Sequence, residues 1–130
     1  MMARRFARKV TQVYDEALTE HGLTIGQFGI LATLRRATPI GVAALADRLS
    51  SDASTLSRLL KPLSNAGLIS IERDPGDGRA KAIRLTDAGR ERAQAAKTAW
   101  FAAQDTIADR LGAERVAALR FILNDAYTLL

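Results

Sequence analysis

The chain has 130 residues, enough for one domain with a hydrophobic core but too few for two independent ones. Lysine and arginine number 19 against 14 aspartates and glutamates, and the formal charge of +5 is consistent with a polyanionic partner. The absence of cysteine excludes disulfides, thiolate metal sites and thiol redox switches, and no apolar run reaches the roughly 20 residues of a membrane span.

The N-terminal segment is predicted to form a helix. Its first residues, MMARRFARKV, are basic but lack the apolar stretch and cleavage site of a secretory signal, so we expect a cytoplasmic protein with no membrane contact. From Ala3 to about Glu20, apolar residues recur at steps of three and four, which predicts one buried helical face. These residues are Phe6, Val10, Val13, Tyr14 and Leu18. Gly22 is placed to end this helix.

A second helix is predicted to begin at Thr24. Thr24 and Gln27 have the spacing of a capping box, in which each side chain satisfies a backbone N–H group of the other residue. Phe28, Leu31 and Leu34 continue one apolar face, and we expect the helix to stop near Thr38 and Pro39.

The middle of the chain predicts two helices joined by a very short turn. Val42–Leu49 is the first, 50–52 is a break rich in capping side chains, and a second helix runs from Ala53 to about Leu63. Helices joined so closely cross steeply, so Ala46 suits their contact and Leu56 fills the angle. This pattern indicates a helix-turn-helix, whose second helix can lie in a DNA major groove about 12 Å wide.

The outward face of the second helix carries short hydroxyls and cations. Its members are Ser54, Thr55, Ser57, Arg58 and Lys61. Hydroxyls near the start of this helix can approach phosphates or base edges, and Arg58 can make a bidentate contact with guanine. The same residues also fit the solvated face of an ordinary amphipathic helix, and the helix by itself leaves both interpretations open.

The next segment is predicted to be a β-hairpin. After Gly67 the pattern changes to the alternation of a strand over 68–73. A loop centred on Asp77 sets Ile71 opposite Ile83 and Ile69 opposite Leu85, so that one face of the hairpin is apolar and packs on the helices.

Charged residues lie in the loop of this hairpin and just after it. With the loop centred on Asp77, Arg79 lies at the tip, from which a guanidinium can enter a narrow minor groove. Asp77 can orient Arg79 through a charge-assisted hydrogen bond, and Lys81 adds a further cation for DNA. The alternative is that Asp77 and Arg79 only keep a loop soluble.

The C-terminal third predicts two more helices. Thr86 caps a helix from Asp87 to about Leu111, roughly 37 Å long at the usual rise. Gly112 marks a break, and the segment from Val116 to Tyr127 is apolar on more than one side. A monomer that exposed so much apolar surface would aggregate, so we expect a second copy of the chain to cover it.

These residues resemble the MarR (multiple antibiotic resistance regulator) family of winged-helix transcription regulators. The resemblance extends over LADRLSSDASTLSRLLKPLSNAGLI and RDPGDGRAKAIRLTDAG, and the aspartate-x-arginine pattern followed by Leu85, Thr86 and Gly89 is its most specific part. Pro62 departs from the commonest pattern, and we expect it to bend the helix slightly without breaking it.

The resemblance implies a mainly α fold with a small β-hairpin, in which a winged helix-turn-helix is joined to an all-helical dimerisation layer. It implies one MarR-like domain over 1–130, with a DNA-binding lobe at 24–86 and dimerisation helices at 1–22 and 87–130. The expected partners are a second copy and a palindromic operator in double-stranded DNA. Arg79 matches the arginine of the wing and Asp77 the aspartate that orients it, and the polar residues from Ser54 to Lys61 fall on the recognition helix.

Regulators that resemble this chain are often released from DNA by small aromatic or phenolic ligands. Tyr14, His21, Phe28 and Trp100 are candidates to line such a cleft. Helically spaced aromatics also fit core or dimer packing, and His21 also fits a residue that interacts with the dipole at a helix end. We expect a repressor of this kind, although activation occurs in similar proteins.

Two other functional classes compete with this prediction. An enzyme is disfavoured because one histidine, no cysteine and no phosphate-binding glycine loop leave no catalytic or metal-binding constellation, and no cofactor is expected. A winged helix that contacts only proteins, without specific DNA readout, is the alternative. The cations Arg58, Lys61, Arg79, Lys81 and Arg84 argue against a neutral or acidic surface of that kind.

Overall fold

The computed structural model describes residues 1–35, 38–74 and 76–130, without the side chains of Asp74, Asp77 and Arg79. Helices and strands follow one another in this order: α1 (Met2–Leu18), a 3₁₀ turn (Thr19–His21), α2 (Ile25–Thr33), β1 (Ile40–Gly41), α3 (Val42–Arg48), α4 (Ala53–Asn65), β2 (Ile69–Asp74), β3 (Asp77–Leu85), α5 (Asp87–Leu111) and α6 (Ala113–Leu129). We call α2 to β3 the central unit, and α1, α5 and α6 the helical layer.

The helix ends follow their capping residues. The capping box of Thr24 and Gln27 is formed as predicted, and the Thr86 hydroxyl accepts a hydrogen bond from the Gly89 N–H at 3.0 Å at the start of α5. Gly112 separates α5 from α6 with a positive φ of 83°. Helix α2 ends at Thr33, earlier than predicted. The prediction extended too far because Leu34 is still buried, so the apolar spacing continues past the last helical turn.

The sheet has three antiparallel strands in the order β1-β3-β2, where the sequence predicted a two-stranded hairpin. Ile40 pairs with Ile83, and this two-residue strand was missed because it is too short to show an alternating pattern. The predicted register is confirmed, since Ile71 pairs with Ile83 and Ile69 with Leu85.

The prediction of a loop centred on Asp77 is wrong. Arg73 pairs with Lys81 but Asp74 pairs with Asp77, so the chain reverses between Asp74 and Asp77. Residues 78–80, between the paired residues Asp77 and Lys81, form an irregularity within β3. The backbone of Arg79 therefore lies in this strand and not at the tip. A tight reversal with a bulge pairs more backbone N–H and C=O groups than an open loop does.

The core lies in the central unit and where that unit meets α1 and α5. Its largest fully buried side chains are Leu18, Ile30, Leu31, Leu34, Leu45, Leu56, Leu63 and Ile83. Ala46 is buried, as predicted for the contact of α3 with α4. Ile71 departs from the prediction that the whole apolar face of the hairpin packs on the helices, because its side chain is 41% exposed. It lines an open depression together with short helix residues such as Ala44 and Ala53.

The central unit and the helical layer approach each other closely at Gly89. A Cβ atom at this position would overlap the carbonyl oxygen of Leu68, so only glycine allows α5 to start so near the end of α4 and the beginning of β2. Thr86 reinforces the contact, since its hydroxyl donates to the Gly67 carbonyl at 2.7 Å.

The helical layer leaves much of its apolar surface uncovered in one chain. Helix α6 has no buried residue, and Phe121 and Tyr127 are 74% and 78% exposed. In α1, Leu18 is the buried residue, whereas the predicted apolar position Phe6 is exposed. No helix in the described part of the chain is long and apolar enough to cross a membrane.

Candidate functional site

The turn between α3 and α4 is held by backbone hydrogen bonds and one carboxylate. The Ser51 N–H donates to the Ala46 carbonyl at 2.9 Å, and Ser50 takes a positive φ of 50° that lets the chain reverse. Asp52 caps α4, with Oδ1 accepting a hydrogen bond from the Thr55 N–H at 2.7 Å. This bond from Thr55, with smaller contributions from the Ser54 N–H and the Arg58 charge, holds the pKa of Asp52 below its usual range.

The outward face of α4 is exposed along its whole length. All five predicted DNA-contacting residues of this helix, Ser54, Thr55, Ser57, Arg58 and Lys61, are exposed. The Arg58 guanidinium donates to the Ser54 hydroxyl at 3.4 Å, which directs it along the helix surface. Helix α4 continues through Pro62 to Asn65, so the prediction that this proline does not break the helix is confirmed.

Helix α4 and the hairpin enclose an open depression of about 860 Å³. We call it the α4–hairpin depression. Its rim carries Ser57 and Lys61 from α4 and Lys81 from β3, while Leu60, Ile71 and Ile83 line it with apolar surface. The structure therefore brings three of the predicted residues together from two separate elements, and two of the three are cations.

The remaining residues predicted for the hairpin lie partly beyond what the structure describes. The side chains of Asp77 and Arg79 are outside the described residues, so their hydrogen bond and the role of Arg79 in the minor groove stay predictions. Arg84 forms an ion pair with Glu72 across the hairpin at 3.3 Å, with both side chains about half exposed. Such an exposed pair contributes little to stability.

A second concave site lies between α2 and α5. It has a volume of about 500 Å³ and is lined by apolar and aromatic side chains, chiefly Phe28, Leu31, Leu85, Ala93 and Trp100. We call it the aromatic cleft. The Trp100 ring is stacked between Phe28, with 6.0 Å between ring centroids, and Tyr14, at 6.3 Å. Trp100 thus connects α1, α2 and α5.

Two of the four residues predicted to bind a ligand line this cleft, and two do not. Phe28 and Trp100 line it, whereas Tyr14 stacks on Trp100 without lining the cleft itself. His21 lies in a separate surface depression beside Ala88 and Glu91, and its carbonyl accepts a hydrogen bond from Arg92. Among the described residues, no group of three or more histidine, aspartate or glutamate side chains is placed to hold a metal ion.

The sequence reasoning missed the cations of the aromatic cleft. Arg35, Arg90 and Lys97 line it together with the aromatic rings. A signal was present, because Arg90, Lys97 and Trp100 follow the spacing of one face of α5. A helical wheel of α5 centred on Trp100 would therefore have identified two of the three cations.

Sequence comparison finds relatives among transcription regulators. The profile of the MarR family matches residues 23–81. An uncharacterised HTH-type transcriptional regulator, YdgJ of Bacillus subtilis, is 36% identical over 89 residues, which are 68% of this chain and 53% of YdgJ. The chain thus covers about half the length of the curated relatives that it matches.

Structural comparison extends the similarity to nearly the whole chain. A mutant MarR from E. coli in complex with operator DNA superposes with a TM-score of 0.85 at 25% identity, covering 96% of this chain and 90% of the other. The M. tuberculosis transcriptional regulator MosR reaches a TM-score of 0.80 at 31% identity, covering 99% and 94%. With the three-stranded winged helix-turn-helix described above, these similarities show that the chain belongs to the MarR family.

Proposed function

We propose that the protein is a DNA-binding transcription regulator that represses its target genes as a homodimer. One observation carries the proposal: Ser57 and Lys61 of the exposed polar face of α4 border the same depression as Lys81 of the hairpin, so a helix and a wing present a hydroxyl and two cations to one ligand. A polyanion whose backbone passes between a groove-bound helix and its wing has this shape and charge.

In the proposed complex, residues 24–86 are the DNA-binding lobe. Helix α4 enters the major groove with its N-terminal half, where Ser54 and Thr55 are exposed and Arg58 reaches toward guanine. Lys61 and Lys81 contact phosphates on either side of the depression. Arg79 enters the adjacent minor groove, oriented by Asp77, as the family resemblance implies.

The helical layer, 1–22 and 87–130, is proposed to form the dimer interface. The uncovered apolar side chains of α6 support this, since a soluble chain seldom exposes so many large hydrophobics on one helix. They are Phe121, Ile122, Leu123, Tyr127 and Leu129, and Phe6 and Phe101 add to the same layer. A two-fold dimer places two copies of α4 about one turn of DNA apart, which matches a palindromic operator.

The proposed effector is a small aromatic or phenolic anion that binds in the aromatic cleft. Phe28 and Trp100 offer stacking surfaces, and Arg35, Arg90 and Lys97 supply positive charge at the same cleft. Because the cleft lies between α2 of the central unit and α5 of the layer, an anion there can favour a different angle between them. Such a ligand releases the protein from DNA in the cytoplasm.

The experiment that tests this function is capture of genomic DNA. The purified protein is mixed with sheared DNA of its own organism at about 0.15 M salt, which suppresses weak nonspecific binding, and the retained fragments are sequenced. We expect sharp peaks that share a palindrome with half-sites about one helical turn apart. Flat retention that disappears with salt contradicts specific readout, and no retention favours a winged helix that contacts only proteins.

The same experiment with Arg58→Ala tests the assignment of α4. We expect the variant to lose discrimination at one base pair of each half-site, by about 1 to 3 kcal/mol, because a bidentate arginine contact is removed. Arg110→Ala, which removes an exposed arginine at the end of α5, serves as the matched control. An unchanged base preference in Arg58→Ala excludes α4 as the reading helix.

A further inference from the structure

The junction between α1 and α2 is fastened from two sides by side chains of the helical layer. From α1, Asp15 Oδ1 accepts a hydrogen bond from the N–H of Ile25, the first residue of α2, at 2.8 Å. From α5, Arg92 Nη1 donates to the His21 carbonyl at 3.0 Å. Both bonds are partly buried, and each joins the helical layer to the segment that leads into the central unit.

The segment between these two bonds has little conformational freedom of its own. The Gly22 N–H donates to the Thr19 carbonyl at 3.0 Å and the Leu23 N–H to the Leu18 carbonyl at 3.3 Å, which closes the turn. Gly22 has a positive φ of 66°, and a Cβ there would lie 3.2 Å from the Arg92 guanidinium. The turn is therefore closed by its own hydrogen bonds, while Arg92 ties it to α5 and Asp15 ties the start of α2 to α1.

Asp15 makes the shorter of the two contacts. Its carboxylate lies at the N-terminus of α2, where unpaired backbone N–H groups concentrate partial positive charge, so the bond is both charge-assisted and favoured by the helix dipole. The capping box satisfies the N–H groups of Thr24 and Gln27, and Asp15 satisfies the N–H group of Ile25, which the box does not reach. No other described interaction ties the start of α2 to a charged side chain of α1.

We propose that Asp15, supported by Arg92, is a positioning residue that sets the angle of the central unit on the helical layer and thereby the operator spacing that the dimer accepts. The inference rests on the proposed function, because spacing has meaning only for a dimer that binds two half-sites. Adding one base pair between half-sites moves them apart by about 3.4 Å and rotates one against the other by roughly 34°. A dimer with a fixed angle binds the altered operator poorly, whereas a dimer with a loosened junction can adjust to the new spacing.

The test compares operators that differ only in spacing. The palindrome recovered from genomic capture is synthesised with its natural spacer and with one base pair added or removed, and dissociation constants are measured for full-length variants. We expect the wild type to prefer its natural spacer by about tenfold or more, and Asp15→Ala to retain a preference of about threefold or less. The affinity of Asp15→Ala for the natural spacer falls by no more than about fivefold, because the competent angle remains populated.

Two further variants separate positioning from general stability. Asp15→Asn keeps an oxygen that accepts from the Ile25 N–H, and we expect it to restore the spacing preference. Glu16→Ala removes the next carboxylate, which is exposed and bonded only within α1 by Gln12 among the described contacts, and it leaves the preference unchanged. If Asp15→Ala does not fold, as thermal unfolding will show, Arg92→Met is measured in its place.

The outcomes are distinct. A uniform loss of affinity at all three spacings, or a full preference in Asp15→Ala, overturns the positioning role while the DNA-binding function stands. If Asp15→Asn loses the spacing preference together with Asp15→Ala, the hydrogen bond to the Ile25 N–H does not set the angle. This result also overturns the positioning role. If the wild type binds every DNA alike, the proposed function fails first, and genomic capture shows this independently.

Discussion

Replacing Lys61 or Lys81 with glutamine tests the proposed DNA surface without disturbing the fold. Both lysines are exposed on the rim of the α4–hairpin depression, and neither contributes to the core. Glutamine keeps most of the side-chain length and removes one positive charge. Each substitution therefore changes one charge per protomer and two in the proposed dimer.

The expected magnitude follows from counterion release. The logarithm of the affinity falls as the logarithm of the salt concentration rises, and each lost phosphate contact makes this slope less steep by about 0.9. Either substitution therefore reduces the steepness by about 1.8 per dimer. Between 0.05 and 0.2 M salt the wild type therefore loses roughly ten times more affinity than the variant does. Lys97→Gln removes the same charge at the aromatic cleft, away from α4, and its slope stays at the wild-type value.

The measurement is a salt titration of operator binding by fluorescence anisotropy. Because net charge changes equally in all three variants, a slope that falls in Lys61→Gln and Lys81→Gln but not in Lys97→Gln can come only from local phosphate contacts. Equal slopes in all four proteins would refute the assignment of the depression as the site where the DNA backbone passes.

Three further predictions concern stability and the effector. Gly89→Ala is expected to lower the free energy of unfolding by about 1 to 3 kcal/mol in chemical denaturation, because a methyl group meets the Leu68 carbonyl; an unchanged midpoint contradicts the close contact. Because the pKa of Asp52 is lowered on folding, its stabilising effect is present above its unfolded pKa and lost as pH falls through the folded value. The difference in unfolding free energy between wild type and Asp52→Ala should therefore narrow below about pH 4, and a constant difference excludes the charged cap. Trp100→Leu should weaken binding of benzoates and phenols, measured by calorimetry, by roughly tenfold, and an equal loss of operator affinity without ligand would mean that Trp100 is purely structural.

The sequence predicted the elements that depend on local signals. The capping box of Thr24 and Gln27, the cap of Thr86 and the break at Gly112 are encoded within a few residues, and each is confirmed. The predicted register of β2 against β3 is also confirmed, although it was derived from a loop centred on Asp77. The chain reverses earlier, and the irregularity after Arg73 restores the predicted pairing of Ile69 with Leu85. The end of α2 was not predicted correctly, because Leu34 is buried although it lies beyond the last residue of the helix.

The position of the exposed residues on α4 was likewise a local property. Helical periodicity placed Ser57 and Lys61 opposite the buried leucines, and the structure shows them exposed. Their meeting with Lys81 on one depression depended on how the hairpin packs against α4, which periodicity does not specify.

By itself, the sequence determined the helices, the two strands of the hairpin and the apolar face of each, because these properties depend on neighbours three, four or two residues away. It did not determine the short strand β1. Only the tertiary structure decided what distant segments form together. It placed Arg35, which follows α2, at the same cleft as Arg90 and Lys97 of α5, and it set Asp15 against the start of α2. It also separated His21 from the aromatic residues, because the turn that carries it faces Arg92 and not Trp100. Such contacts depend on the angles at which helices pack, and those angles are set by side-chain shape across the whole core.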